Sequence, residues 1–199
     1  MGKNSYVFFA ILITLFSCQK KEFDSLEGLN SYVAEEENGL KYSKTVNGIN
    51  YVLQYRPTDV LVHQELSAEK GQSIEKLRGK YKDQLYFNLS MSMNNKELLS
   101  NVGDRQKFAD LVNELLFNMD ERVYLVGSSK DTIPLIDFVY PRMYGMSPST
   151  TILLVYPREK INVKETYLNL IVEDIGFNTG EVKFKVSANA LINEPEIKF

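Results

Sequence analysis

Residues 40–56 read LKYSKTVNGINYVLQYR. Apolar and polar residues alternate on both sides of Asn47-Gly48, which is typical of two half-buried strands. A type I′ turn needs a positive φ at both of its central residues, and Asn-Gly is a pair that readily adopts it. This stretch therefore predicts an antiparallel β-hairpin, and it sets the expected fold.

More strand patterns follow the hairpin. Residues 85–93 alternate in the same way, and beyond Arg122 there are five candidate strands, at residues 123–126, 132–140, 151–156, 167–172 and 181–188. Short strands separated by turn residues are typical of a β-sandwich. We therefore expect a mainly β fold, an Ig-like antiparallel β-sandwich with a few added helices. A mixed α+β sheet is the alternative.

Helical periodicity is found in three places. Ser25 can cap a short helix, and two amphipathic pieces lie near residues 59–81. The longest helix pattern spans residues 104–119, with Asp104 as its N-cap, and predicts one buried stripe: Phe108, Leu111, Val112, Leu115, Leu116 and Met119.

The N-terminal residues have the layout of a secretory signal peptide. Lys3 precedes an apolar run from residue 7 to residue 16. This run is shorter than the about 20 apolar residues that a transmembrane helix needs. It ends in Leu15-Phe16-Ser17-Cys18, which resembles the lipobox of bacterial lipoproteins.

The resemblance implies a lipid anchor on Cys18. In bacterial lipoproteins the cysteine thiol receives diacylglycerol, the chain is cut before the cysteine, and the new amino group is acylated, for example with palmitate. Several acyl chains on one residue hold a protein firmly to a membrane. No Asp follows Cys18 directly, which favours the outer membrane over retention in the inner membrane.

These signals predict the domain organisation. Residues 1–17 form the signal peptide, residues 18–39 a lipidated tether with a short helix, and residues 40–199 a β-rich globular domain. Cys18 is the only cysteine, so no disulfide can form within the chain. The formal net charge of −3 argues against a nucleic-acid partner, because phosphate contacts require clustered basic residues.

No catalytic motif is found in the sequence. His63 is the only histidine, so a zinc site or a histidine-based triad has almost no ligands to use. Phosphate-binding and calcium-binding loop motifs are absent. We expect neither an enzyme nor a cofactor. The alternative is a pair of carboxylates that only folding brings together, with Glu65, Glu173 and Asp174 as candidates.

A short repeat is the remaining feature. Val139-Tyr140-Pro141-Arg142 recurs as Val155-Tyr156-Pro157-Arg158. Proline ends ladder pairing, so the repeat can simply mark two strand ends. Alternatively, Tyr140, Arg142, Tyr156 and Arg158 form a partner-binding surface, because Tyr and Arg are favoured at interface hot spots.

Together these patterns predict a membrane-anchored envelope lipoprotein on the periplasmic face or the cell surface. We expect a non-enzymatic binding or scaffolding subunit of an outer-membrane assembly, with envelope proteins as its partners. A glycan-active or glycan-binding accessory protein and a small-ligand carrier are the alternatives.

Overall fold

The computed structural model describes residues 20–69, 71–128, 130–161 and 165–199. The predicted signal peptide and Cys18 lie outside these residues. The helices are α1 (Leu26–Ala34), α2 (Thr58–Ala68), α3 (Ile74–Tyr81), α4 (Arg105–Phe117), α5 (Met119–Arg122) and α6 (Ala188–Ile192). The strands are β1 (Glu22–Phe23), β2 (Lys41–Val46), β3 (Ile49–Arg56), β4 (Gln84–Met93), β5 (Lys96–Glu97), β6 (Val123–Val126), β7 (Thr132–Ile133), β8 (Asp137–Val139), β9 (Thr150–Pro157), β10 (Tyr167–Val172), β11 (Val182–Ser187) and β12 (Glu196–Ile197).

The predicted hairpin is present and starts the larger sheet. Strands β2 and β3 pair in antiparallel register from Val46 opposite Ile49 to Lys41 opposite Gln54. Asn47 and Gly48 have φ values of 49° and 77°, as the turn requires. The sheet continues in the order β2-β3-β4-β9-β8, and β5 pairs with β4.

A second antiparallel sheet has the order β11-β10-β6-β7. Both sheets contribute one face to the same hydrophobic core. The period-two alternation of the strands decides which residues point inward. The core-facing residues of β3, β4, β10 and β11 are Ile49, Tyr51, Leu53 and Tyr55; Leu85, Phe87, Leu89 and Met91; Leu168, Leu170 and Val172; and Val182, Phe184 and Val186.

Helices cover part of the other face of the larger sheet. Leu61 of α2 packs against Tyr86 of β4 and Val155 of β9, and Tyr81 of α3 joins this smaller cluster. The antiparallel sheets were predicted, but the helices in the described residues are more than a few additions to a mainly β sandwich. The chain is therefore a mixed α+β fold, which was the alternative. The sequence showed the strands clearly, but periodicity alone does not say which sheet face a helix covers.

The predicted strand 132–140 is in fact two strands in different sheets. Thr132–Ile133 pairs with β6, whereas Asp137–Val139 pairs with β9. Pro134 lies at the break and has no backbone N–H to donate to a ladder. The prediction of one continuous strand was wrong because the proline lets the chain pass from one sheet to the other.

The predicted helix 104–119 is α4 followed by the short α5. The Asp104 carboxylate accepts a hydrogen bond from the Lys107 backbone N–H at 2.7 Å and caps α4. Leu111, Leu115 and Met119 are buried as predicted. Phe108 is not, because 36% of its surface remains exposed.

The N-terminal segment joins the fold almost at once. Strand β1 pairs in parallel with β12, and Leu29 and Val33 of α1 lie in the core. Residues 22–34, which the sequence assigned to a tether and a short helix, therefore pack against the β-rich domain. No helix within the described ranges is long and apolar enough to cross a membrane.

The larger sheet has two ends that differ in character. We call the end formed by Arg56, Gln84 and Pro157 the proximal end. The C-terminal residues lie there, because Glu194 accepts a hydrogen bond from Tyr55 and the Ile197 N–H donates to Asp59. Residues 20–23 lie there too, because β1 pairs with β12. The opposite end, where Met93 meets β5 and where β9 begins at Thr150, is the tip.

Candidate functional site

The loop between β8 and β9, residues 140–149, is held in place by a buried carboxylate. Glu97 of β5 is only 3% exposed. Its Oε2 accepts a hydrogen bond from the Gly145 N–H at 3.1 Å, and its Oε1 accepts one from the Ser147 N–H at 3.3 Å. Gly145 has a φ of 82°, a conformation that favours glycine. The carboxylate therefore fixes the loop backbone.

The fixed loop carries exposed apolar side chains. Tyr144 and Met146 are 75% and 78% exposed, and Met143 is also exposed. Val139, the last residue of β8 before the loop, is exposed as well. We call Val139, Met143, Tyr144 and Met146 the tip surface. Single exposed apolar residues need no explanation, but several together within eight residues of chain are a feature of interaction sites.

A cleft of about 270 Å³ lies beside the tip surface. Its wall is mostly apolar and includes Leu99, Phe108 and Tyr144. The guanidinium of Arg142 lies over the Tyr144 ring at 4.8 Å from the ring centroid, a cation–π contact. Among the described residues no carboxylate lies within ion-pair distance of Arg142.

Tyr140 adds a second unused polar group to the cleft wall. Its hydroxyl oxygen is buried and has no hydrogen-bond partner within the described ranges. Burial raises the pKa of Tyr140, and the charge of Glu97 raises it further. The hydroxyl is therefore neutral at physiological pH, and it is a hydrogen-bond donor without an acceptor in the described part of the chain.

The structure separates the two halves of the Tyr-Pro-Arg repeat. Tyr140 and Arg142 lie in the cleft at the tip, whereas Arg158 follows the other end of β9. Tyr156 is fully buried in the core, where its ring packs edge-on against Phe87 with 6.2 Å between centroids. The prediction that Tyr156 takes part in a partner-binding surface was wrong, because no part of it reaches the surface.

Arg158 belongs to a closed network at the proximal end. Its guanidinium donates to Glu194 Oε1 at 2.8 Å, to the Tyr55 hydroxyl at 2.7 Å and to the Leu191 carbonyl at 2.9 Å. Glu194 also accepts hydrogen bonds from the Tyr55 hydroxyl and from the N–H and hydroxyl of Thr58. These donors satisfy the Glu194 carboxylate within the protein. Because Glu194 belongs to the C-terminal segment, the same hydrogen bonds connect that segment to the sheet.

The candidate catalytic residues do not come together. Glu65 accepts hydrogen bonds from Lys80 and Tyr81 of α3. Asp174 lies in the turn between β10 and β11, where it accepts hydrogen bonds from the Gly176 and Phe177 amides. Glu173 pairs with Arg122 at 3.5 Å.

His63 faces the Phe199 ring at 6.5 Å between centroids. No group of three or more His, Cys, Asp or Glu side chains in the described part of the chain has the geometry to hold a metal ion.

Sequence reasoning found Tyr140 and Arg142 but missed Glu97, Phe108 and Tyr144 as members of the same site. Residues 143–146 read Met-Tyr-Gly-Met, and apolar side chains in a loop are a signal that could have identified Tyr144. Glu97 has no such signal, because its partners are 48 and 50 residues away in the chain.

Comparisons with known proteins give structural neighbours only. No family model and no curated protein matches the chain. A protein of unknown function from Burkholderia pseudomallei K96243 is similar, with a TM-score of 0.40 and 12% identity over 81% of this chain and 84% of that one. A DUF4426 family protein from Pseudomonas aeruginosa PAO1 has a TM-score of 0.40 and 14% identity, over 74% of this chain and 94% of that one.

Proposed function

We propose that the mature chain is an outer-membrane lipoprotein, anchored through Cys18, that acts as a non-enzymatic binding or scaffolding subunit. It contacts a protein partner through the tip surface and the adjacent cleft. The observation that carries this proposal is that Tyr144 and Met146 are about three-quarters exposed on a loop whose backbone is fixed by the buried Glu97.

A fixed apolar loop is suited to binding for a thermodynamic reason. Burial of exposed apolar surface against a partner is favourable by about 25 cal/mol per Å². A loop that is already ordered loses less conformational entropy on association than a mobile loop does. Aromatic residues, Met and Arg are also enriched at protein interfaces. Tyr144, Met146 and Arg142 fit this pattern.

The unused polar groups indicate what the partner carries. Arg142 has no acidic partner in the described part of the chain, and the buried Tyr140 hydroxyl lacks an acceptor there. A carboxylate can pair with Arg142, while the apolar cleft wall suits an apolar side chain. The complementary segment therefore presents an acidic group next to an apolar side chain.

The membrane anchor and the outer-membrane location rest on the lipobox resemblance at residues 15–18. A non-enzymatic role is supported by the carboxylates that sequence reasoning proposed as catalytic. Each of them is engaged in a structural contact, and none lines the cleft.

A glycan-binding accessory protein is the second candidate. The cleft volume of about 270 Å³ is close to the lower limit of about 300 Å³ that is typical of ligand pockets. The Tyr140 and Tyr144 rings in its wall could contact the apolar face of a sugar. This candidate needs only the cleft, whereas the leading proposal also needs Met146 and Val139.

Site-specific photocrosslinking in intact cells tests the proposal. A photoreactive amino acid replaces Tyr144 or Met146, and the exposed Glu75 of α3 is the control position. We expect one protein adduct from both tip positions and none from position 75. Arg142→Gln should reduce the yield from position 146. A carbohydrate adduct would support the second candidate, and identical adducts from all three positions would contradict a specific tip surface.

The anchor is tested in the same cells. The intact mass of the mature protein should equal that of a chain starting at residue 18 plus its lipid. Cys18→Ala should lack the lipid mass and should retain residues 1–17, because the cut before residue 18 depends on the modified cysteine. A wild-type protein without lipid mass, or a Cys18→Ala protein that is cut before residue 18, would contradict the lipoprotein assignment.

A further inference from the structure

Only two residues separate Cys18 from Lys21, whose backbone is hydrogen-bonded to the folded domain. The Lys21 carbonyl accepts a hydrogen bond from the Glu196 N–H at 2.9 Å, and Glu22 is already paired in β1. Cys18 precedes Lys21 by three residues, and three Cα–Cα steps span at most about 11 Å. A lipid on Cys18 therefore holds the proximal end within a short distance of the bilayer surface.

The residues around this attachment point suit a headgroup surface. Lys20 pairs with Glu196 and Lys198 pairs with Glu22, so charges of both signs are present. Phe199 is 47% exposed at the same end, with the guanidinium of Arg78 at 5.3 Å from its ring centroid. Amphipathic groups of this kind are common where a protein meets the interfacial region of a membrane.

The tip lies at the opposite end of the longest strand. Strand β4 starts at Gln84, whose carbonyl accepts from Arg158 of the proximal network, and it ends at Met93 beside β5 and Glu97. It has 10 residues, which span about 30 Å at 3.3 Å per residue. The loop that Glu97 fixes is therefore separated from the attachment point by about the length of the sheet.

We infer that the domain stands on the bilayer with its proximal end down and presents the tip surface away from the membrane that holds it. This inference rests on the lipid anchor in the proposed function. It identifies the partner of the tip surface as a protein that extends beyond the headgroup layer, and it excludes the lipids of the anchoring bilayer as the ligand.

Energy transfer from two positions to the bilayer measures this orientation. Asp24→Cys at the proximal end and Met146→Cys at the tip each place one fluorescent donor on the lipidated protein. Both positions are exposed, and the only native cysteine is the one that carries the lipid. The vesicles contain phosphatidylethanolamine and phosphatidylglycerol with an acceptor on a fraction of the headgroups. We expect strong transfer from position 24 and loss of most of it at position 146.

A tether variant is the matched control. A flexible Gly-Ser insertion of about 20 residues between Gln19 and Lys20 has a root-mean-square span of about 25 Å, comparable to the length of the domain. We expect the insertion to keep the protein on the vesicle while the two positions approach equal transfer. A difference that persists with the insertion would show that surface contacts, and not the short tether, set the orientation.

The outcomes separate the inference from the proposed function. A purified protein without lipid mass, or one that does not bind vesicles, would remove the anchor itself. A lipidated, vesicle-bound protein with equal transfer from both positions would leave the anchor in place and overturn the orientation.

Discussion

The proximal end and the tip of the larger sheet differ in whether their polar groups are paired and in whether their apolar groups are buried. At the proximal end, Glu194, Arg158 and Tyr55 satisfy one another in a network that is largely buried. At the tip, Arg142 has no acidic partner in the described part of the chain, and Tyr144 and Met146 are exposed to solvent.

This difference separates a region that stabilises the fold from one that is free to bind. A residue of the proximal network should matter for the free energy of unfolding and hardly for partner binding. A residue of the tip surface should show the reverse. Glu97 is the exception within the tip, because it is buried and yet it positions the exposed loop.

Loss of the Glu194 charge should have the largest effect on stability. Glu194→Gln leaves the guanidinium of Arg158 partly buried without its acid. We expect the free energy of unfolding to fall by about 3 kcal/mol, the lower end of the range for breaking a buried ion pair. Urea denaturation measures it. Arg142→Gln at the tip is the control and should change stability by less than about 0.5 kcal/mol. Equal losses in the two variants would remove the contrast between the ends.

Two buried tyrosines sharpen the comparison further. The Tyr55 hydroxyl donates to Glu194 at 2.7 Å and accepts from Arg158 at 2.7 Å. Since hydrogen bonds to charged groups contribute about 1.5–3 kcal/mol, Tyr55→Phe should cost about 2 kcal/mol. Thermal or urea unfolding of the variant measures this loss.

Tyr156→Phe is the matched variant. The Tyr156 hydroxyl is equally buried but has no partner within the described ranges. Its removal should leave stability unchanged or increase it by up to about 1 kcal/mol. A loss as large as that of Tyr55→Phe would mean that the Tyr156 hydroxyl has a partner, such as a buried water.

Tyr156 also shows where the sequence could have been interpreted better. It shares the alternation of Ile152 and Leu154 on β9, and all three are fully buried. A period of two favours an inward side chain at this position, and the burial of Tyr156 follows that pattern and not the partner-binding interpretation of the repeat. By contrast, the Asn47-Gly48 hairpin and the Asp104 cap were predictable because both depend on local backbone geometry.

The remaining features depend on contacts between residues far apart in the chain. Nothing near Glu97 in the sequence indicates that its carboxylate binds the amides of Gly145 and Ser147. Pro134 was visible in the sequence, but that the chain changes sheets there depends on which strand the next segment meets. For the same reason, the sequence predicted Tyr140 and Arg142 of the tip site but not Glu97, which holds the loop in place.

Glu97→Gln should loosen the backbone of the loop at residues 140–149 and leave the exposed side chains of the tip surface unchanged. The amide oxygen of Gln can still accept a hydrogen bond, but the amide N–H₂ cannot, so one of the two loop contacts is lost. We expect a stability loss of about 1 kcal/mol. Hydrogen exchange at Gly145 and Ser147 should be faster, and crosslinking from position 146 should fall.

A Glu97→Gln protein that crosslinks like the wild type would show that the exposed side chains bind without a fixed loop. Glu75→Gln is the control, since it is the same chemical change at an exposed position of α3 outside the cleft. It should leave both measurements unchanged.

The turn between β10 and β11 lies beside the hairpin turn at the tip, where the Asn47 side chain donates a hydrogen bond to the Phe177 carbonyl. Loss of the Asp174 charge in this turn should have a smaller effect on stability than Glu97→Gln. Burial opposes ionisation of Asp174, but the backbone amides of Phe177 and Gly176 outweigh it and keep its pKa below the ordinary value. A lowered folded-state pKa stabilises the fold in full above the unfolded-state pKa of about 3.9. That contribution is lost as the pH falls through the lower, folded-state pKa.

Asp174→Asn tests this titration without removing the turn. Asn keeps an oxygen that can accept from both amides, so the variant should lose less than about 1 kcal/mol at neutral pH. Below about pH 4 the difference from the wild type should shrink, because the wild-type carboxylate becomes protonated and the amide does not titrate. Urea unfolding at neutral pH and at acidic pH measures both quantities. A stability difference between the wild type and Asp174→Asn that grows toward acidic pH would contradict a lowered pKa. It would mean that the ionised carboxylate does not stabilise the turn.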